Sequence, residues 1–137
     1  MNRIHMSKTP VKLVAKKYNQ KNDLKPRGFW YSIEDEWKTW VESEMPEWLG
    51  EHEYFVDLGD LNVLFLDTPD KIINFHKEYR QPHGMVDWNR LSQTYDGIEI
   101  SPYQWSLRLE LLWYYGWDVA SGCIWNLKKV TLKVKNT

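Results

Sequence analysis

The chain is poor in the features that assign a protein at sight. It has a single cysteine, Cys123, so an internal disulfide is excluded and no zinc framework of paired thiolates exists. His52, His76 and His83 are scattered without metal-ligand spacing. Neither charge sign dominates: 18 lysines and arginines stand against 19 acidic residues, a balance that argues against binding nucleic acid chiefly by electrostatics. No GxGxxG, P-loop or GxSxG elbow is present, which removes support for Rossmann, Walker-type and α/β-hydrolase chemistry. Long apolar runs are absent too. Residues 107–115 are the most apolar late stretch, but Arg108 and Glu110 interrupt it and it is far too short to span a bilayer. The N-terminal MNRIHMSK lacks the apolar centre of a signal peptide. These absences lead to the expectation of a cytoplasmic protein without a membrane segment.

What the chain does have is aromatic mass. Nine tryptophans and eight tyrosines are distributed over 137 residues, enough chain for one domain spanning 1–137 with its own core. Large rings bury much area per residue, so most of the tryptophans are expected in the core. The same rings also make stacking platforms for bases, sugars and nicotinamide.

Element signals are uneven. Residues 4–7 form a short candidate strand. Val11, Val14, Ala15 and Tyr18 then recur at helical spacing behind Pro10, predicting a helix. Residues 19–25 read as a polar loop. Behind GFWYS, Ser32 is a plausible N-cap with Asp35 three residues on, and Ile33, Trp37, Trp40 and Val41 form one helical face expected to bury both tryptophans. Residues 54–58 and 63–66 read as strands with Gly59–Asp60 available for the turn between them. Thr68–Pro69 caps a helix with Ile72, Ile73, His76 and Tyr79 inward. A short helix around 86–91, the strand YDGIEI, a helical stripe at Trp105, Leu109, Leu112 and Trp113, and two strands near the C-terminus complete the reading. Lysines alternating with Val130, Leu132 and Val134 fit an edge strand protected against pairing.

Three stretches deliver single polar side chains from strand ends: IHMS at 4–7, RGFWYS at 27–32 and YDGIEI at 95–100. Their order and aromatic setting resemble the His–Tyr–Glu arrangement of the diphtheria-toxin-like and poly(ADP-ribose)-polymerase-like ADP-ribosyltransferases. That resemblance implies an α+β domain of two small, mainly antiparallel sheets flanked by helices, with NAD as substrate held between them. It implies that His5 contacts the adenosine-side ribose, with Met6 standing where many members have glycine. It assigns Tyr31, beside Trp30, to stacking on nicotinamide, and Ser32 to the carboxamide.

The acid that stabilises the cationic sugar is implied at Glu99. Within GWDVASGCIWN, Asp118 is the alternative, or Ser121 holds the position and turnover is lost. The implied activity is transfer of ADP-ribose from NAD to a macromolecular acceptor, protein or nucleic acid, or NAD hydrolysis. Breaking the nicotinamide–ribose bond develops positive charge on the sugar, as glycoside cleavage does, and that is why the chemistry calls for a carboxylate beside it. Taken singly, each residue has a plainer role: His5 and Glu99 as strand residues, Ser32 as a helix cap, Trp30 and Tyr31 as opposite faces of one strand. From a different class comes a non-catalytic module that uses tryptophan and tyrosine to bind a protein partner, a nucleotide or a carbohydrate.

Overall fold

A computed structural model describes residues 1–135. The strands are β1 (Arg3–Ser7), β2 (Phe29–Ile33), β3 (His52–Asp57), β4 (Val63–Leu66), β5 (Gly97–Ile100), β6 (Ser121–Ile124) and β7 (Thr131–Val134). The helices are α1 (Glu36–Glu44), α2 (Pro69–Tyr79) and α3 (Trp88–Ser92). The expected α+β class is met. The strands join in one seven-stranded sheet of order β4-β5-β6-β2-β1-β3-β7, antiparallel throughout except for the β4–β5 pair. The central join between β1 and β2 is the weakest: only Arg3↔Ile33 and Ile4↔Ser32 are paired. Past that point β1 stays on β3 as far as Ser7↔His52, while β2 stays on β6 as far as Phe29↔Ile124.

Alternation along the strands sorts side chains onto two faces. Register places Ile4, Ser32, Ser121 and Ile100 in one row, with Trp30, Cys123 and Ile98 beside them. Arg3, Ile33, Tyr31, Gly122 and Glu99 occupy the opposite face. The buried cluster draws on Ile72 and Phe75 of α2, Trp88 and Leu91 of α3, and Trp113, Trp117 and Trp125.

Some local expectations are corrected. Residues 10–18 are not helical; they carry no regular element beyond a Lys17–Asn126 bridge, with Tyr18 N donating to Trp125 O at 2.7 Å and Leu127 N to Lys16 O at 2.8 Å. Valines at 11 and 14 are mediocre helix formers, and backbone pairing with residues 125–127 outcompetes a short isolated helix. Ser32 is a strand residue; α1 begins behind Asp35, and no side chain caps it. Trp37 and Trp40 are half-buried and stack on each other at 5.0 Å, leaving Val41 as the buried residue of α1. β3 and β4 are not neighbours, because the residues between them carry the chain to the far edge of the sheet.

α2 is capped as expected: Thr68 accepts from Lys71 N at 3.1 Å. Its buried residues are Ile72 and Phe75, while Ile73, His76 and Tyr79 are half-buried. The stripe at Trp105, Leu109 and Leu112 faces solvent on short 3-10 turns, with only Trp113 inward. Among the tryptophans, Trp88, Trp113, Trp117 and Trp125 are buried, Trp30, Trp37 and Trp40 half-buried, and Trp48 and Trp105 exposed. The core therefore takes fewer of them than composition implied. Among the described residues no helix is long and apolar enough to cross a membrane.

Candidate functional site

Where β1 and β2 part, a cleft of about 270 Å³ opens. His5, Met6, Trp30, Tyr31, Ser32 and Asp118 all line it. The separation has a visible cause. His5 follows the last β1–β2 pair, and its imidazole Nδ1 lies 2.5 Å from the Trp30 carbonyl oxygen, so a side chain replaces the next rung of the ladder. A carbonyl only accepts, so Nδ1 carries the proton and Nε2 keeps its lone pair. The imidazole also stacks on Phe29, with ring centroids 4.1 Å apart.

Burial pulls the His5 pKa below its ordinary value, against the opposing effect of the Trp30 bond. The neutral ring therefore belongs to the folded state, and the unfolded chain takes up the proton first as pH falls. Stability from His5 is complete above about pH 6.5 and declines as the pH drops below it. Thermal melts at about pH 7.5 and about pH 5.5 should show a smaller acid-induced loss in His5→Gln than in the parent. An equal loss in both would remove His5 as a cause.

The cleft walls are aromatic. Trp30 meets Trp117 edge-on at 5.1 Å, and Trp37 of α1 closes a further side. Trp88, Trp113 and Trp125 each direct the indole N–H to a partner, at 2.9, 3.1 and 2.7 Å respectively. Trp117 Nε1 is the one buried side-chain polar atom without a partner among the described residues. Polar groups at the cleft are few: His5 of β1, Ser32 and Ser121 from adjacent strands, Lys25 from the loop before β2, and Asp118, with the Tyr31 hydroxyl turned to Glu99. Asp118 is the only carboxylate among the described residues that line the cleft. Arg108 donates to its Oδ1 at 3.1 Å and also to the Trp117 carbonyl at 2.8 Å, which holds Asp118 and the Trp117 backbone together. Asp118 remains 22% exposed and borders both this cleft and a shallower neighbouring hollow lined by Trp40 and Trp105.

Glu99 does not share this site. It is 3% exposed on the opposite face of the sheet, where Arg3 Nε approaches its Oε1 at 2.6 Å and the Tyr31 hydroxyl donates to the same oxygen at 2.8 Å. The register explains how Tyr31 reaches it. Gly122 lies between Tyr31 and Glu99, and a Cβ there would run into the Tyr31 ring, so only glycine lets the phenol cross β6. Burial, and after it the Glu99 charge, pushes the Tyr31 pKa far up, so the phenol stays protonated and donates. Tyr31 thus contributes to the cleft wall while its hydroxyl is committed on the other side, and the stacking surfaces offered to a ligand are tryptophans.

Sequence reading missed Lys25, placed in a featureless loop, and Trp37, placed in a core stripe. It also missed Arg108, which only tertiary structure sets beside Asp118. Among the described residues, no group of three or more His, Cys, Asp and Glu is arranged to hold a metal ion. Comparisons with protein-family models, with curated proteins and with solved structures find no match to this chain.

Proposed function

We propose that this chain is an ADP-ribosyltransferase-like domain whose cleft at the parting of β1 and β2 binds NAD. The observation that carries this reading is the convergence, in a single cleft, of five residues from two stretches far apart in sequence, His5–Met6 and Trp30–Ser32, together with one of the two candidate acids. The two-pair join between β1 and β2 supports the finer architecture, in which β4-β5-β6-β2 and β1-β3-β7 act as two small sheets hinged at one end. The groups present fit the substrate. Tryptophan faces suit a flat ring, and a carboxylate suits a sugar that becomes cationic. The volume is close to the lower end, ~300 Å³, of small-molecule pockets, and accommodates a ring with its sugar while the remainder of the dinucleotide lies outside.

In the reaction, the bond between the ribose C1′ and the nicotinamide nitrogen breaks and nicotinamide leaves with the electron pair. Asp118 stabilises the positive charge left on the sugar. The acceptor, a protein or nucleic-acid nucleophile or water, closes on C1′ and gives up its proton to solvent. Trp30 and Trp37, the half-buried tryptophans of the cleft, keep the ring oriented and exclude water, and loss of that orientation would slow the step steeply.

A second reading, a nucleotide-binding module without turnover, is favoured by the Arg108–Asp118 ion pair and by Ser121 at the start of β6. Nicotinamide release from NAD separates the two, measured with and without protein and nucleic-acid acceptors. Release above the uncatalysed background supports the transferase or hydrolase. Saturable NAD binding without release assigns the module, and absence of both ends the NAD reading.

A further inference from the structure

Lys25 is the one cation of the cleft whose position is built and whose charge is unmatched. Its loop is pinned on both sides. The Gln20 side chain bonds Arg27 O at 2.6 Å and accepts from Arg27 N at 2.9 Å, while Asp23 bridges to Val86 and accepts the Trp88 indole N–H through its carbonyl at 2.9 Å. Buried Pro26 follows Lys25 and fixes the backbone further. The lysine stem lies against Gly116: a Cβ on that glycine would stand 2.9 Å from Lys25 Cε. The ammonium sits 5.8 Å from the centre of the Trp30 ring, within cation–π range, at the mouth of the cleft. No carboxylate pairs with it among the described residues; Asp118, the acid of the same cleft, is taken by Arg108.

We propose that Lys25, seated on Gly116 beside Trp30, is the anion-binding group of the cleft and takes a phosphate of the bound nucleotide. This rests on the NAD reading and adds to it a direction. The ring and its ribose enter among the tryptophans toward Asp118, and the first phosphate meets Lys25 at the mouth. A lysine ammonium acts on phosphate as a point charge with three donors, and bonds between charged partners are the strong ones.

Two ligands that differ only in the phosphate test the assignment: nicotinamide mononucleotide and nicotinamide riboside, titrated calorimetrically into the parent, Lys25→Gln and Gly116→Ala. Lys25 is exposed and Gly116 has an ordinary backbone φ, so both variants should fold, and their melts are recorded alongside. The expected result is that Lys25→Gln weakens the mononucleotide by about tenfold to a hundredfold in Kd and leaves the riboside unchanged. Gly116→Ala, which moves the lysine stem without removing charge, should weaken the mononucleotide in the same direction and by less. Equal weakening of both ligands by Lys25→Gln would overturn the assignment and reduce Lys25 to a packing group over Trp30, and so would no weakening of either. If the parent binds neither ligand but binds another anion, the NAD reading fails first. If the parent binds both and only the variants disagree, the Lys25 assignment alone fails.

Discussion

Glu99→Ala is expected to lower the melting temperature by roughly 10 °C while leaving whatever the cleft does intact. Glu99 is the acceptor for two groups at once, the Arg3 guanidinium and the Tyr31 hydroxyl, on a face of the sheet where it is 3% exposed. Truncating it strands a buried phenol and a half-buried cation. Removing one member of a buried pair costs about 3–5 kcal/mol, and the lower end applies because Arg3 keeps 23% exposure and some hydration. For a domain of this size, ~3 kcal/mol corresponds to roughly 10 °C. Replacing the pair by apolar residues, Arg3→Met with Glu99→Leu, should recover part of the loss, since neither charge is then left alone. A full melt at the parent's temperature together with loss of nicotinamide release would instead return the catalytic role to Glu99.

Asp118→Asn carries the largest expected effect on function. Asparagine keeps the size and the bond from Arg108, and removes the negative charge from the only carboxylate among the described residues that line the cleft. A charge that acts on the cationic sugar acts mainly in the transition state, so NAD affinity should change little while nicotinamide release falls by about 10²–10³-fold. Arg108 lowers the field of Asp118 as well as orienting it, so Arg108→Gln tests whether the ion pair restrains turnover. Parallel loss of NAD binding and release in Asp118→Asn would mean that the residue holds the ligand in place and is not the acid of the reaction.

The parts of this arrangement legible in the sequence were those set by local pattern. The Thr68–Pro69 cap predicted α2, YDGIEI read as the strand that is β5, and IHMS and GFWYS read as the strands β1 and β2 that flank the cleft. What could not be read was the side of the sheet. Glu99 and Asp118 both sit near strand ends in sequence. Only the register across Gly122 puts Glu99 with Tyr31 and away from Ser32, and a slip of one residue would reverse that. Residues 10–18 misled because an apolar spacing fit a helix while the free backbone groups of residues 125–127 offered partners from far along the chain. The Trp105, Leu109 and Leu112 stripe misled similarly: the spacing is helical, yet Tyr103 and Tyr114 anchor the segment and turn those side chains outward, with the Tyr114 hydroxyl accepting from Gln104 N at 2.7 Å. Lys25 carried no pattern at all, and Gly116, against which its stem lies, is distant in sequence.

The claim on which the rest depends is that NAD occupies the cleft between β1 and β2. Ser121 lines that cleft from β6 and is half-buried, so Ser121→Trp fills it from within while leaving the Arg3–Glu99–Tyr31 face untouched. Calorimetric titration of NAD into the parent and into Ser121→Trp, with both confirmed folded by thermal melts, reads the claim directly. The account predicts saturable one-to-one heat in the parent and none in the variant. No saturable heat in the parent, or the same heat in both proteins, would contradict it.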